Sequence, residues 1–294
     1  MTRPSLGTYP CLCLALTLAL TPLANAAPAA ATGCDRAALL AAADKYVEAQ
    51  TAGSLDPLQD ILSANFSYVE NNAATDVSSG VLSHALAIDH RRSTADTTDC
   101  ATYTELISTG GKAPGTGAGA AKPYVIGTQL RHDPTTLSIV LIDSVASTTG
   151  SWSFDAAKTL SHVLSEDWPA IPADRQDDRA VLRRAADAYL DIWSNATAAD
   201  AVPWGTPCAR LEGSAYTGRG RADDSCKAGL PTNHNQAPNT RRRYVIDEEA
   251  GSCDVLCVWE HMMMAADSHE FRLEGGKLRY VHTITVCPGQ TCRL

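Results

Sequence analysis

Apolar positions along this chain recur with two different periods, and the change from one to the other happens twice. Residues 35–46, DRAALLAAADKY, set Leu39, Ala42, Ala43 and Tyr46 at the three-and-four spacing of a helix with one buried stripe. Residues 178–189, DRAVLRRAADAY, repeat that stripe with Leu182, Ala185, Ala186 and Tyr189, identical at eight of twelve positions at a shift of 143. Further on, YVEN at 68–71 aligns with RLEG at 210–213 at a shift of 142, so Glu70 and Glu212 stand at equivalent places. A change of one residue is what a loop indel leaves. Each half then crosses a long irregular stretch into consecutive strand-like segments, and YVI opens one such run at 124 and another at 244. Helices first and an antiparallel sheet after make an α+β pattern.

The chain therefore reads as a duplication. Its junction falls near SEDWPAIPADRQD at 165–177, where Pro169 and Pro172 interrupt regular structure. The units are 27–168 and 169–294, each long enough to bury a core of its own. The helix-to-YVI distance is greater in the first half, and part of the surplus is TGGKAPGTGAGAAK at 109–122, a Gly/Ala/Pro-rich stretch that reads as a flexible loop.

The strongest hairpin signal is DSHEFRLEGGKLRYVHTITV at 267–286. With Gly275 and Gly276 as a two-residue turn, Glu274 faces Lys277. Counting outward, Leu273 then faces Leu278, Phe271 faces Tyr280, and His269 faces His282. Alternation puts all six on one apolar face, and the charged Glu270, Arg272 and Arg279 on the other. Two readings of the paired histidines stand: they satisfy each other at the rim of a packed face, or they act as general acid and base. A register slip of one residue would undo the argument.

Residues 1–26 change the compartment. One basic residue, an apolar run from Leu12 to Leu23 and then Ala24-Asn25-Ala26 have the order of an export signal, and no further run of about 18 apolar residues reads as a membrane span. Removing the signal takes Cys11 and Cys13 with it and leaves an even set of eight cysteines, which favours disulfides. The preferred bridges are Cys34 to Cys100 and Cys208 to Cys226, with Cys253, Cys257, Cys287 and Cys292 pairing among themselves. Asn65-Phe-Ser and Asn195-Ala-Thr are acceptor sequons for glycosylation. A net charge of −9, from 33 acidic and 24 basic residues, argues against nucleic acid or an anionic membrane as the partner, and points to small molecules or proteins.

The leading helix, the strand carrying an acidic residue and the closing hairpin together resemble the nuclear-transport-factor-2-like superfamily of ketosteroid isomerase and the SnoaL-type cyclases. CDRAALLAAADKYVEAQ, NFSYVENN, IDHRRS, VPWGTPCARLEGSAYTG and DSHEFRLEGGKLRYVH, in that order, are also similar to a group of secreted fungal proteins with two such units in tandem. The resemblance implies two cystatin-like cones, each a helix wrapped by a curved sheet around an apolar pocket. Together the cones would form an internal pseudo-dimer.

It also implies a chemistry: cofactor-independent proton abstraction by an isomerase, cyclase or lyase on a small apolar metabolite that is carboxylated or enolisable. A narrower version is a maleidride-type dimerising cyclase of secondary metabolism. The alternative is a non-catalytic secreted protein that holds a hydrophobic ligand or a host component in the same cones.

The candidate acid–base groups are His269, His282, Glu212 and Glu70. The two glutamates take that role from the resemblance, against a structural role in holding a loop. The candidate substrate contacts in the second half are Trp204, Arg210, Tyr216, Phe271 and Tyr280, with Arg210 and Glu212 as an ion pair beneath Trp204. In the first half, His90, Arg91 and Arg92 suit a carboxylate, because a guanidinium grips planar anions with two hydrogen bonds. A surface loop salt-bridged to Asp96 or Asp99 is the alternative. Neither a metal nor a cofactor is expected: the chain carries no G-x-S-x-G, no G-x-x-x-x-G-K, no dinucleotide fingerprint and no H-E-x-x-H. The single histidine of the first half's closing hairpin, His132, makes the second half the working one.

Overall fold

The computed structural model describes the chain from residue 34 to 289 except for 118 and 231–234, so the expected export signal and Cys292 lie outside the described residues. In the first half, α1 (Arg36–Ala52) precedes β1 (Leu62–Glu70), β2 (Ala73–Ala74), β3 (His90–Asp96), β4 (Ala101–Ser108), β5 (Tyr124–His132) and β6 (Ile139–Thr148). After α2 (Ala156–Val163), the second half runs α3 (Arg179–Leu190), α4 (Ala198–Ala201), β7 (Trp204–Glu212), β8 (Ala215–Tyr216), β9 (Asn239–Asp247), β10 (Ser252–Trp259), β11 (Ala265–Glu274) and β12 (Lys277–Val286).

The helices form where the stripe predicts them. Asp35 caps α1 by accepting from the backbone of Ala37 and Ala38, and Gly53 ends it in the left-handed conformation. The stripe residues Leu39, Ala42, Ala43 and Tyr46, and in α3 Leu182, Ala185, Ala186 and Tyr189, are all buried.

The architecture is α+β, with two six-stranded sheets of the same order, β2-β1-β6-β5-β4-β3 and β8-β7-β12-β11-β10-β9. One expectation needs correction: neither sheet is wholly antiparallel. β1 runs parallel to β6, and β7 parallel to β12, because the long strand after the helix pairs on one side with the short strand that follows it and on the other with the last strand of its own half. A second correction concerns the repeated YVI. Tyr124 lies on β5, whose place in the second sheet is taken by β11, whereas Tyr244 lies on β9, the counterpart of β3. Three apolar letters matched strands that are not equivalent.

The glutamate alignment agrees with the ladder: Glu70 pairs with Ser144 and Glu212 with Thr283 at matching rungs.

The two sheets pack against each other. Ile107, Val125 and Val145 of the first sheet cluster with Leu256, Ala266 and Ile284 of the second. The edge contacts are reciprocal. Arg36 of α1 reaches Asp247, whose carboxylate also accepts from the backbone of Ala95 at 2.9 Å. Arg179 of α3 reaches Asp96, which accepts from the backbone of Ile246 at 2.9 Å. Equivalent residues thus make the same contacts in both directions, as in an isologous interface. Asp96 and Asp99 are therefore taken by Arg179 rather than by the arginines of IDHRRS.

Cys34 is bridged to Cys100 and Cys208 to Cys226. Cys253 and Cys257, expected to pair, are free buried thiols on β10. Four residues apart on one extended strand they share a face, but at about 3.3 Å per residue their separation is about 13 Å, roughly twice what a disulfide spans. The pairing of Cys287 with Cys292 falls outside the described residues. Iodoacetamide is expected to label Cys253 and Cys257 only after unfolding without reductant, as read by peptide mapping. Labelling of Cys34, Cys100, Cys208 or Cys226 in the same sample would contradict the bridges. Both sequon asparagines, Asn65 and Asn195, are exposed.

Candidate functional site

The hairpin turn is as expected, with Glu274 opposite Lys277 and Leu273 opposite Leu278, but the next rung pairs Arg272 with Tyr280. Arg279 is the extra residue of a β-bulge. From there outward every side chain of β12 turns to the other face relative to β11: Phe271 lies opposite Val281, Glu270 opposite His282, and His269 opposite Thr283. The expected sharing of one face by His269 and His282, and by Phe271 and Tyr280, is overturned. One histidine enters the interior beneath α3, and the other enters the space between the two sheets.

Beneath α3, Asp267 and His269 alternate on β11 and so point the same way. His269 Nδ1 lies 2.6 Å from Asp267 Oδ2, and both residues are completely buried. Asp267 also accepts from Thr285 Oγ1 at 2.7 Å and from Cys257 Sγ at 3.5 Å. Burial, then the neighbouring Asp267, pushes the Cys257 thiol well above its usual range, so it stays a donor. Because Nδ1 faces a carboxylate, its proton belongs there, and in the neutral ring Nε2 carries the lone pair. That Nε2 is buried and has no hydrogen-bond partner. The ring stacks on Phe271 at 5.8 Å and is surrounded by Tyr189, Trp193 and Trp259 at 5.8, 6.3 and 6.0 Å between centroids.

The same interior holds the predicted ion pair. Arg210 Nε lies 3.1 Å from Glu212 Oε1, which also accepts from the Tyr189 hydroxyl at 3.4 Å. Burial and the adjacent Glu212 raise the Tyr189 phenol, so it remains protonated. Arg210 further donates to the carbonyls of Cys226 and Ala228, beside the Cys208–Cys226 bridge. Trp204 donates Nε1 to the Ala199 carbonyl, with its ring 6.1 Å from Tyr189.

The duplication supplies an internal comparison. At matching rungs the first half has Thr128 where the second has His269, Ile126 for Asp267, Ala146 for Thr285 and Leu106 for Cys257. Thr128 is tied to the Tyr46 hydroxyl at 2.7 Å and to Ser144 at 2.8 Å. Glu70 accepts from the Tyr68 hydroxyl at 2.5 Å and from the backbone of Val81 at 2.7 Å, the contacts of a residue that holds a loop. At these four rungs the first half therefore has apolar side chains and a bonded Thr128 where the second keeps a polar dyad.

Between the sheets, His282 Nδ1 lies 2.9 Å from Glu105 Oε1 and Nε2 lies 2.7 Å from Glu166 Oε2. Burial opposes its charge, but the carboxylates of Glu166 and Glu105 outweigh this and push His282 up to about 10. Arg92 lies 3.0 Å from Glu105 and 2.5 Å from Glu270, with its guanidinium 3.7 Å above the Trp168 ring. His90 faces Glu105 at 3.8 Å and is lowered, chiefly by burial. Donor atoms of Glu105, Glu270 and His282 come within 4.8 Å of one another. The guanidinium of Arg92 contacts all three residues, and both nitrogens of His282 face carboxylates, so the charge and lone pairs that an ion would need are committed to a salt-bridge core.

Of the predicted site residues, Trp204, Arg210, Glu212, His269 and Phe271 meet beneath α3. His90, Arg92 and His282 meet between the sheets. Tyr216 donates to Glu166 at 2.9 Å, and Tyr280 stacks on Trp168 at 5.4 Å. Arg91 pairs with Asp44 on the exposed side of α1, so HRRS of this motif opens β3 with alternating faces and is not a joint carboxylate grip. Sequence reasoning missed Asp267, whose signal was its spacing of two from His269 on a strand. It also missed Glu166 and Trp168, which sit in the Pro-rich junction where no periodicity marks them.

A family described as Domain of unknown function (DUF8021) matches residues 175–285, which run from just before α3 to the end of β12. Among curated proteins, none matches the chain.

Proposed function

We propose that the second half is a cofactor-independent acid–base site of the nuclear-transport-factor-2-like, ketosteroid-isomerase type. It acts as an isomerase, cyclase or lyase on a small apolar molecule with an acidic C–H beside a carbonyl, and the first half serves as its fixed scaffold. The observation that carries this reading is the buried, unpartnered Nε2 of His269, whose Nδ1 is held at 2.6 Å by Asp267. A carboxylate behind an imidazole fixes the tautomer and stabilises the imidazolium that forms when Nε2 takes a proton. Arg210 and the Tyr189 hydroxyl, on the same interior, are engaged by Glu212 at 3.1 and 3.4 Å, and in this reading they turn from Glu212 to the negative charge that develops on the carbonyl oxygen. The aromatic rings around His269 suit a flat apolar body.

The reciprocal contacts of Arg36 and Arg179 support reading the two halves as a fused pseudo-dimer. The bridges Cys34–Cys100 and Cys208–Cys226, with no helix among the described residues long and apolar enough to cross a membrane, support an exported protein. A second reading, a non-catalytic container for a hydrophobic ligand, is favoured by the closeness of the four rings around His269.

One experiment separates the two. The purified protein is incubated in D₂O with small-molecule extract of the producing organism, and mass spectrometry looks for a metabolite that gains deuterium or changes structure. An enzyme is expected to mark at least one compound. A container marks none, and conversion by heat-denatured protein at the same rate would remove the proposal.

A further inference from the structure

The bulge that parts the two histidines has a second effect. Between the rung of Leu278 and that of Tyr280, β12 skips Arg279 on its β11 side, while on its other side β7 skips residues 205–208. Two irregularities at one level open the sheet surface, and a cavity of about 510 Å³ lies there, walled by α2, Pro207 and Ala209 of β7, and the loop 218–222. A bulge of this kind re-aims the side chain it carries. The first half has the same pair of skips, at Val140 and at residues 63–66, so the geometry belongs to both copies. The chemistry does not: Val140, Leu141 and Asn65 stand there in place of Arg279, Tyr280 and Pro207.

The walls of the second-half cavity are cationic and flat. His162 stacks on Tyr216 with centroids 4.5 Å apart and planes 15° apart, and the Arg279 guanidinium lies 4.1 Å over the Tyr280 ring. Among the described residues neither Arg219 nor Arg279 has a carboxylate in an ion pair, although the chain as a whole carries nine more acidic than basic residues. Arg221 pairs with Asp223 at 3.4 Å. The one carboxylate lining the cavity, Asp224, accepts from the backbone of Arg219 at 2.6 Å and of Arg221 at 3.1 Å, so it shapes the loop that presents them. Gly218 lets that loop close on the aromatic wall, since a Cβ there would lie 2.5 Å from the Tyr216 ring and 2.9 Å from Ala209 Cβ.

We propose that this cavity binds a planar organic anion, a conjugated or aromatic carboxylate of one or two rings, held by Arg219 and Arg279 against the rings of Tyr216 and Tyr280. Guanidinium groups take a carboxylate with two parallel hydrogen bonds, and a conjugated body fits the stacked walls. The volume is that of a small-molecule site. The inference rests on groups other than His269 and stands apart from the acid–base reading.

The test is calorimetric titration of the full chain with 2-naphthoate, with 2-naphthalenemethanol as the neutral ring and inorganic phosphate as the anion without a ring. Saturable binding of one 2-naphthoate is expected, with both controls at least about tenfold weaker. Arg279→Gln and Arg219→Gln should each weaken 2-naphthoate about tenfold or more. Arg219 is exposed and Arg279 half-exposed, so melting temperatures should move little. His269→Gln should bind the probe as the wild type does. No binding, equal affinity for the neutral ring or for phosphate, full affinity in the double arginine variant, or loss of the probe in His269→Gln would each overturn the assignment.

Discussion

Replacing His282 with alanine is expected to cost about 3–5 kcal/mol of folding stability, which for a chain of this size is a fall in melting temperature on the order of 10 °C. The imidazolium lies between Glu105 at 2.9 Å and Glu166 at 2.7 Å, and the side chains of all three residues are essentially inaccessible to water. Without it, Glu105, Glu166 and Glu270 share the single guanidinium of Arg92. Buried carboxylates with too little positive charge must either ionise unsolvated or take up protons, and both destabilise.

The pH dependence has a definite sign. His282 is raised in the folded state, to about 10, from an ordinary imidazole value of roughly 6.5. Its contribution is complete below the ordinary value and is lost as pH rises through the raised one, because the unfolded chain releases the proton first. Wild-type stability should therefore fall by a few kcal/mol between about pH 7 and pH 10, and most of that slope should be missing in His282→Ala. Glu105 and Glu166 are both held below the usual carboxylate range: burial works against this, and in each His282 and Arg92 override it. Their contribution runs the other way, present above the usual carboxylate range and lost as pH falls below it. Urea unfolding at a series of pH values measures both limbs. A variant as stable as wild type, or a wild type with no slope on the alkaline side, would contradict the salt-bridge core.

What could be read in advance follows from what leaves a local mark. The repeated helix was legible because burial of one stripe imposes a period on DRAALLAAADKY and DRAVLRRAADAY, and Tyr46 and Tyr189 indeed occupy the same buried place. Gly275-Gly276 announced the last turn, and the first two rungs followed. The bulge left no such mark. Arg279 is neither Gly nor Pro and is not among the residues of positive φ, and the shift is matched by one outside the hairpin, where β7 pairs with both Leu278 and Tyr280 but skips four residues between them. A parallel partner some seventy residues upstream therefore shares the shift that decides which way His282 points. The same limit explains Glu166 and Trp168: tertiary contact alone makes a junction segment part of a buried ion network.

Exchanging Asp267 and His269 for the residues of the first half should reverse the pattern seen with His282. In Asp267→Ile with His269→Thr, made in a Thr285→Ala background so that the Thr285 hydroxyl does not lose its acceptor, the second interior receives the residues that the first half already packs as Ile126, Thr128 and Ala146. No buried charge is stranded, because both partners of the 2.6 Å contact leave together. Stability is expected to stay within about 2 kcal/mol of wild type, the cost being the smaller volume at position 269. Proton exchange into whichever metabolite the wild type marks should fall by about 10²–10⁴, the usual worth of a positioned general base. His269→Gln alone should show the same loss. Asp267→Asn should show a smaller one, since an amide oxygen still accepts the Nδ1 proton but no longer balances the charge gained when Nε2 is protonated. A polar dyad that can be removed at little cost in stability, yet is retained in only one of two matched interiors, has the profile of a group kept for chemistry and not for folding. If the double exchange unfolds the chain, or leaves the exchange rate unchanged, His269 belongs to the core and the acid–base assignment falls.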